Sequence, residues 1–172
     1  LLAAGYAIYA HFNAETFDKV TLCPTGGAKG QYVVLIDNTS PFPFTQKAAL
    51  KQRLRDMVTN DIPAGAMLTV FVLGEDFKHN DEPVFEKCSP GQWVEGEGLT
   101  KTKKFVDKDF NEKFAKPLGA VLNRIPLDVR GKTSPIFEML QLASILGFRH
   151  ENAKGDKTLI IYSDMAANTA DF

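Results

Sequence analysis

Two aspartates, each placed just after a run of apolar residues, are the side chains of this sequence best suited to chemistry. Asp37 directly follows the apolar run 32–36, and Asp164 follows the run 158–162 with one serine between. The segment 131–134 (Gly-Lys-Thr-Ser) adds hydroxyl groups. If the two runs are neighbouring parallel strands, these groups meet in one crevice at the carboxyl ends of the strands. Such an all-oxygen set suits Mg²⁺ or Mn²⁺ rather than zinc.

Three continuous apolar runs must position these groups, and they predict the strands of a sheet. They cover residues 32–36, 67–73 and 158–162, and a short strand is also expected at 84–87. The runs lack polar alternation, which is typical of strands buried on both faces of a parallel sheet. We therefore predict an α/β fold with a doubly wound, mainly parallel sheet, helices on both faces and the first strand at its centre.

Apolar residues at helical spacing predict three helices between and after these strands. The first covers 45–60 and the second covers about 103–125, where Pro117 should kink or divide the helix. The third is expected to start at Ser134, as the N-cap, with proline at the first helical position.

The polar residues at the strand ends resemble the metal-ion-dependent adhesion site of von Willebrand factor A (vWA) domains. That motif is D-x-S-x-S after the first strand, a threonine in a later loop and an aspartate after the fourth strand. Asp37 and Thr39 match its first two positions, Thr133 matches the lone threonine, and Asp164 matches the later aspartate. The resemblance covers about residues 31–166. It implies strand order 3-2-1-4.

The resemblance also implies a function, which is binding of a partner protein. In this family Mg²⁺ is held by the motif residues, and a carboxylate of the partner completes its coordination shell. Pro41 stands where the family has its second serine and offers no hydroxyl. An ion would therefore have fewer protein ligands and more waters, so we expect weak binding of Mg²⁺ or Mn²⁺. A vWA-like scaffold with an inactive metal site is an alternative.

A phosphatase of the haloacid dehalogenase type is the enzyme alternative. It would use Asp37 as the nucleophile, with Lys132, Thr133 and Asp164 in supporting roles. The loop after Asp37 lacks the second aspartate of that family, and a helix is predicted where the family usually has a flap. We therefore expect a binding module rather than an enzyme.

Three aromatic residues are candidates for contact with a partner. Phe42 and Phe44 alternate with prolines beside the predicted site, and they form either buried packing or an apolar rim that receives a partner. Trp93 lies in a long loop, where it is either an anchor for the loop or a partner-facing hot spot.

The chain divides into an N-terminal stretch, a lead-in loop and one domain. Residues 1–12 are apolar and uncharged, yet a spanning helix needs about 20 residues, so they are expected to be the end of a membrane anchor or a packed N-terminal helix. Residues 13–30 form the loop, and 31–172 the vWA-like domain. A sheet that ended at 158–162 would leave a bare apolar edge, so we expect the domain to be C-terminally incomplete or the edge to be covered.

Cysteine usage and charge indicate the setting. Cys23 and Cys88 both stand beside turn prolines, which favours a disulfide between them. A disulfide and an anchor would place the domain outside the cytoplasm, in the bacterial periplasm or at the cell surface. The net charge of −1 argues against a nucleic-acid partner.

Overall fold

A four-stranded open sheet forms the centre of the computed structural model, which describes residues 15–79, 81–94, 102–127 and 130–166. The strands are β1 (Gln31–Asp37), β2 (Met67–Leu73), β3 (Phe85–Cys88) and β4 (Lys157–Tyr162). Their order is β3-β2-β1-β4. β1 pairs in parallel with β2 and β4, and β3 pairs antiparallel with β2. The predicted central position of the first strand and the order 3-2-1-4 are confirmed, and the sheet is mixed.

In the described ranges, four α-helices and one π-helical turn accompany these strands. They are α1 (Phe44–Asn60), α2 (Lys103–Phe110), the π turn (Asn111–Ala115), α3 (Lys116–Arg124) and α4 (Ile136–Gly147). The second helix was predicted to kink or divide at Pro117; it is instead interrupted by the π turn directly before the helix segment that contains this proline. Proline has no N–H to donate to the preceding turn. The chain widens just before it, and the Lys116 N–H bonds to the Asn111 carbonyl, five residues back.

The start of α4 differs from the prediction. Ser134 does not cap the helix, which begins at Ile136 with Pro135 in the N-cap position and no side-chain cap. The hydroxyl of Ser134 is used elsewhere, in a hydrogen bond of 2.8 Å with Thr39 Oγ1.

The alternation of side chains along β1 creates two hydrophobic cores, one on each face of the sheet. Val34 and Ile36 belong to a core formed with α1, α2, the π turn and α3. Val33 and Leu35 belong to a second core formed with α4. All four side chains are fully buried. Helices therefore pack on both faces, as two-sided burial of an apolar strand requires.

Residues 15–30 run along the end of the sheet and are fixed to β3. Cys23 and Cys88 form a disulfide, as predicted, across a sequence separation of 65 residues. The Cys88 N–H also donates to the Thr21 carbonyl at 2.8 Å. In the chain-entropy treatment, closing a loop of this size stabilises the fold by about 4 kcal/mol.

The membrane-anchor interpretation of residues 1–12 lies outside the described residues. Among the helices that the structure does describe, none has both the length and the apolar character needed to span a bilayer.

Candidate functional site

Asp37, the last residue of β1, is the centre of a buried polar network at the carboxyl end of the sheet. Asp37 is only 2% exposed to solvent. Oδ1 accepts hydrogen bonds from the backbone N–H and the hydroxyl of Thr39, at 2.9 and 2.7 Å. Oδ2 accepts one from the hydroxyl of Ser163 at 2.7 Å. Both carboxylate oxygens are therefore satisfied within the protein, which a buried charge requires.

Thr39 extends this network to the loop that precedes α4. Its hydroxyl is hydrogen bonded to Ser134 Oγ at 2.8 Å, and both residues are about as buried as Asp37. The Thr39 carbonyl also accepts a bond from the Gly131 N–H at 2.8 Å. The network of Asp37, Thr39, Ser134 and Ser163, here called the hydroxyl network, thus joins three loops that meet above the sheet.

Thr133 and Asp164 lie beside the hydroxyl network without joining it. Thr133 is half-buried, and no hydrogen bond connects it to Asp37 in the described part of the chain. Asp164 is exposed, and its Oδ1 accepts the N–H of Ala166, two residues on in its own loop. In both loops the serine next to the predicted residue makes the inward contact.

The register of the sheet explains the shift from Asp164 to Ser163. Ile36 of β1 lies opposite Tyr162 of β4, so the next residues, Asp37 and Ser163, are neighbours across the strands. Side chains alternate between faces along a strand, so a displacement by one residue turns a side chain away. Counting equal steps from the ends of the two apolar runs would have identified Ser163. No comparable signal distinguishes Ser134 from Thr133.

The hydroxyl network is a poor match for a divalent ion in this arrangement. It offers one carboxylate, and each oxygen of that carboxylate already accepts a hydrogen bond. Within the described ranges no three His, Cys, Asp or Glu side chains are grouped closely enough to hold a metal. The hydroxyls of Thr39 and Ser163 donate their hydrogens to Asp37, so only their remaining lone pairs could bind an ion.

An open groove lies next to the hydroxyl network, between α1 and β4, and is here called the α1–β4 groove. Its volume is about 690 Å³, within the range of ligand sites. Its lining includes Asp37, Pro41, Phe42, Arg53, Tyr162 and Asp164. Partial burial raises the pKa of the Tyr162 phenol above its usual value, and the nearby positive charge of Arg53 acts in the opposite direction.

The structure separates the three predicted partner-binding aromatics. Phe42 is half-buried against the α1-side core and lines the α1–β4 groove. Phe44 begins α1 with 84% of its surface exposed. Trp93 follows β3, and the neighbouring Gln92 side chain bonds to the Thr59 carbonyl at the far end of α1. Trp93 is therefore not part of the groove.

A second open cavity, which the sequence did not indicate, lies at the carboxyl end of β2. Its volume is about 600 Å³, and its lining includes Asn38, Val72, Glu75, Arg124 and Ile125. Its residues come from five separate segments with no shared motif, so no local pattern could have identified it.

Comparison with protein-family models, with curated proteins and with solved structures finds no match for this chain.

Proposed function

We propose that this chain is a protein-binding module of the vWA type, doubly wound, whose partner docks in the α1–β4 groove beside Asp37. The observation that carries this proposal is the position of the groove. It opens at the carboxyl ends of β1 and β4, where parallel sheets bind their ligands. Its apolar side is formed by Pro41, Phe42 and Pro43, and the exposed ring of Phe44 follows directly in the chain.

The bonding of Asp37 favours binding over phosphoryl transfer. A nucleophilic carboxylate needs an oxygen that can reach the phosphorus atom. Both oxygens of Asp37 are engaged, and the residue is 2% exposed. Under the phosphatase alternative the chain would turn over an aryl phosphate in the presence of Mg²⁺, whereas a binding module would not.

Any role of Mg²⁺ or Mn²⁺ in this proposal is a weak one. We expect affinity on the order of millimolar, because the ion would compete with the hydrogen bonds on Asp37 and would keep most of its waters. Pro41→Ser should strengthen binding by adding a hydroxyl, and Asp37→Ala should abolish it. Calorimetric titration of the three proteins measures this. Absence of heat in all of them would leave a scaffold with an inactive site, in which any partner binds without an ion.

The proposed setting is a bacterial membrane-anchored protein with this domain outside the cytoplasm. The disulfide between Cys23 and Cys88 supports the compartment, because such bonds persist in oxidising environments.

Site-specific photo-crosslinking tests the docking site in intact cells. Gln46 is exposed and lines the groove, and Gln141 is an exposed glutamine on α4, which packs on the opposite face of the sheet. A photoreactive residue at position 46 should give one discrete protein adduct that position 141 does not give. Equal adducts at both positions, or none at position 46, would argue against docking in the groove.

A further inference from the structure

A small groove between α1 and the segment that runs from the π turn into α3 carries positive charge. Its volume is about 230 Å³, and it is here called the α1–α3 groove. Lys51 and Arg55, four residues apart on α1, are its charged residues, and none of the described residues that line it is acidic. Its charge therefore favours an anionic ligand.

Both positive charges of the groove are bonded only to neutral side chains within the described chain. Lys51 Nζ donates to Asn123 Oδ1 at 2.9 Å, and Arg55 Nη2 donates to Gln52 Oε1 at 3.2 Å. The only carboxylate of α1, Asp56, accepts a bond from Gln52 and does not line the groove. A carboxylate that entered the groove would replace amide oxygens and would not have to displace an ion pair.

Gly119, in the interior of α3, leaves open space in the groove. Its backbone is helical, and a Cβ at this position would meet no other part of the described chain within 4 Å. Neither the backbone nor the packing therefore requires glycine, which is less favourable than alanine inside a helix. The apolar floor of the groove is formed by the buried side chains of Phe110, Leu118 and Leu122. A ligand that fills this space would explain the glycine.

We propose that the α1–α3 groove binds a small carboxylate with a short apolar chain, which places its charge on Lys51 and Arg55 and its chain over Gly119. The guanidinium can donate two parallel hydrogen bonds to a carboxylate, and the ammonium adds a second positive charge. The volume is below the range of about 300–1,000 Å³ for drug-sized ligands, so the ligand is smaller than these. The groove shares no lining residue with the α1–β4 groove, so this inference does not depend on the proposed function.

Three six-carbon probes test the preference for negative charge on the full chain. They are hexanoate, 1-hexanol and hexylammonium, which share an apolar chain and differ in charge. In amide NMR spectra hexanoate should shift Gly119 saturably, with a Kd on the order of 1 mM for a ligand of so few atoms. It should bind at least about fivefold more tightly than the other two, the difference expected for ion pairs with exposed side chains. Equal affinities, or shifts that spread over the surface without saturating, would overturn the proposal.

Removal of one charge from the groove should weaken the binding of hexanoate. Lys51→Gln and Arg55→Gln should each lower the affinity about fivefold. Arg53→Gln is the matched control, because it removes the same charge from the same helix and lines the α1–β4 groove instead. An equal loss in Arg53→Gln would show that hexanoate responds only to the net charge of the protein, and it would overturn the site.

Substitution of Gly119 separates a role in binding from a role in folding. Gly119→Ala should raise the Tm by about 2–4 °C, because alanine is the better helix former and its Cβ meets no obstacle. The same methyl group should lower the affinity for hexanoate at least about fivefold, because it fills the space that the chain needs. Ala120→Leu adds bulk at an exposed position of α3 outside the groove and should leave binding unchanged. Full affinity in Gly119→Ala would refute the placement of the ligand over Gly119.

The alternative occupant of the groove is an acidic segment of a protein. An Ala-Glu-Ala-Glu-Ala peptide, acetylated and amidated at its ends, represents this occupant in the same NMR titration. If the peptide shifts Gly119 and hexanoate does not, the groove receives a protein segment and the small-ligand proposal is overturned. Crosslinking at position 46 tests a different groove, so the two proposals can fail separately.

Discussion

The two edges of the sheet are built in opposite ways. At one edge β3 is four residues long, antiparallel and tied by the disulfide to residues 15–30, and Lys87 Nζ donates to the Val20 carbonyl. At the other edge β4 is six residues long, parallel and uncovered by any described segment. The two edges therefore differ in how firmly they are held. The β3 edge is held by covalent and hydrogen bonds, whereas no described segment pairs with the outer side of β4.

Removal of the disulfide should produce the largest change in stability, and it tests whether the two edges are independent of each other. The double substitution Cys23→Ser and Cys88→Ser should lower the free energy of unfolding by about 4 kcal/mol, since the loop of 65 residues is released in the unfolded state. Urea denaturation measures the loss. Below the unfolding transition, the raised pKa of Tyr162 at the other edge should be unchanged in an absorbance titration. A return of the Tyr162 pKa to its usual value would mean that the two edges are coupled.

Substitution of Asp37 should produce the next largest effect. Asp37→Ala removes the acceptor for Thr39 and Ser163 and leaves their buried donors unsatisfied, which costs about 3 kcal/mol. Asp164→Ala is the matched control, because Asp164 is exposed and bonds only within its own loop. It should change stability by no more than about 0.5 kcal/mol. Similar losses in both variants, measured by thermal unfolding, would show that Asp164 also supports the site.

The smallest expected effect is a dependence of stability on alkaline pH that originates in β4. Partial burial raises the pKa of Tyr162, so its neutral form is favoured in the folded state. This contribution is present below the unfolded-state pKa of about 10 and is lost as the pH rises through the folded-state pKa. In urea titrations across this range, Tyr162→Phe should lose less stability than the wild type. If the free energy of unfolding changed equally with pH in the two proteins, the phenol would not be desolvated in the folded state.

The sequence was sufficient to predict the framework of the fold. The apolar runs identified β1, β2 and β4 because only strands buried on both faces tolerate such composition, and the central place of β1 followed from the same argument. The pairing of Cys23 with Cys88 was also predicted correctly, from the turns that contain them.

The side chains that contact Asp37 and Thr39 lie one position from two of the predicted site residues. Thr133 and Asp164 were proposed from the spacing of a motif, whereas Ser134 and Ser163 make the contacts to Thr39 and Asp37. Motif spacing gives the loop from which a side chain comes. The direction of that side chain depends on strand register and on the path of the loop, which are tertiary properties. A crevice beside Asp37 and Asp164 was predicted, but the wall that α1 contributes to it was not, since α1 and β4 are far apart in the chain.

The π turn before Pro117 determines which side chains of the two flanking helices face the core. Phe110, Phe114, Leu118 and Leu122 are all buried, at intervals of four residues. Four residues exceed one α-helical turn of 3.6, so in a uniform helix these side chains would rotate steadily around the axis and leave the core. A π-helical turn contains more than four residues, so within it side chains four residues apart fall short of a full turn. This offsets the rotation that accumulates in the α-helical segments. A regular helix of the same length would place Leu118 about 80° around the axis from Phe110, and deletion of one residue from Asn111–Ala115 would return the two side chains to one face without a π turn. The π turn therefore keeps buried side chains that recur every four residues directed towards the sheet.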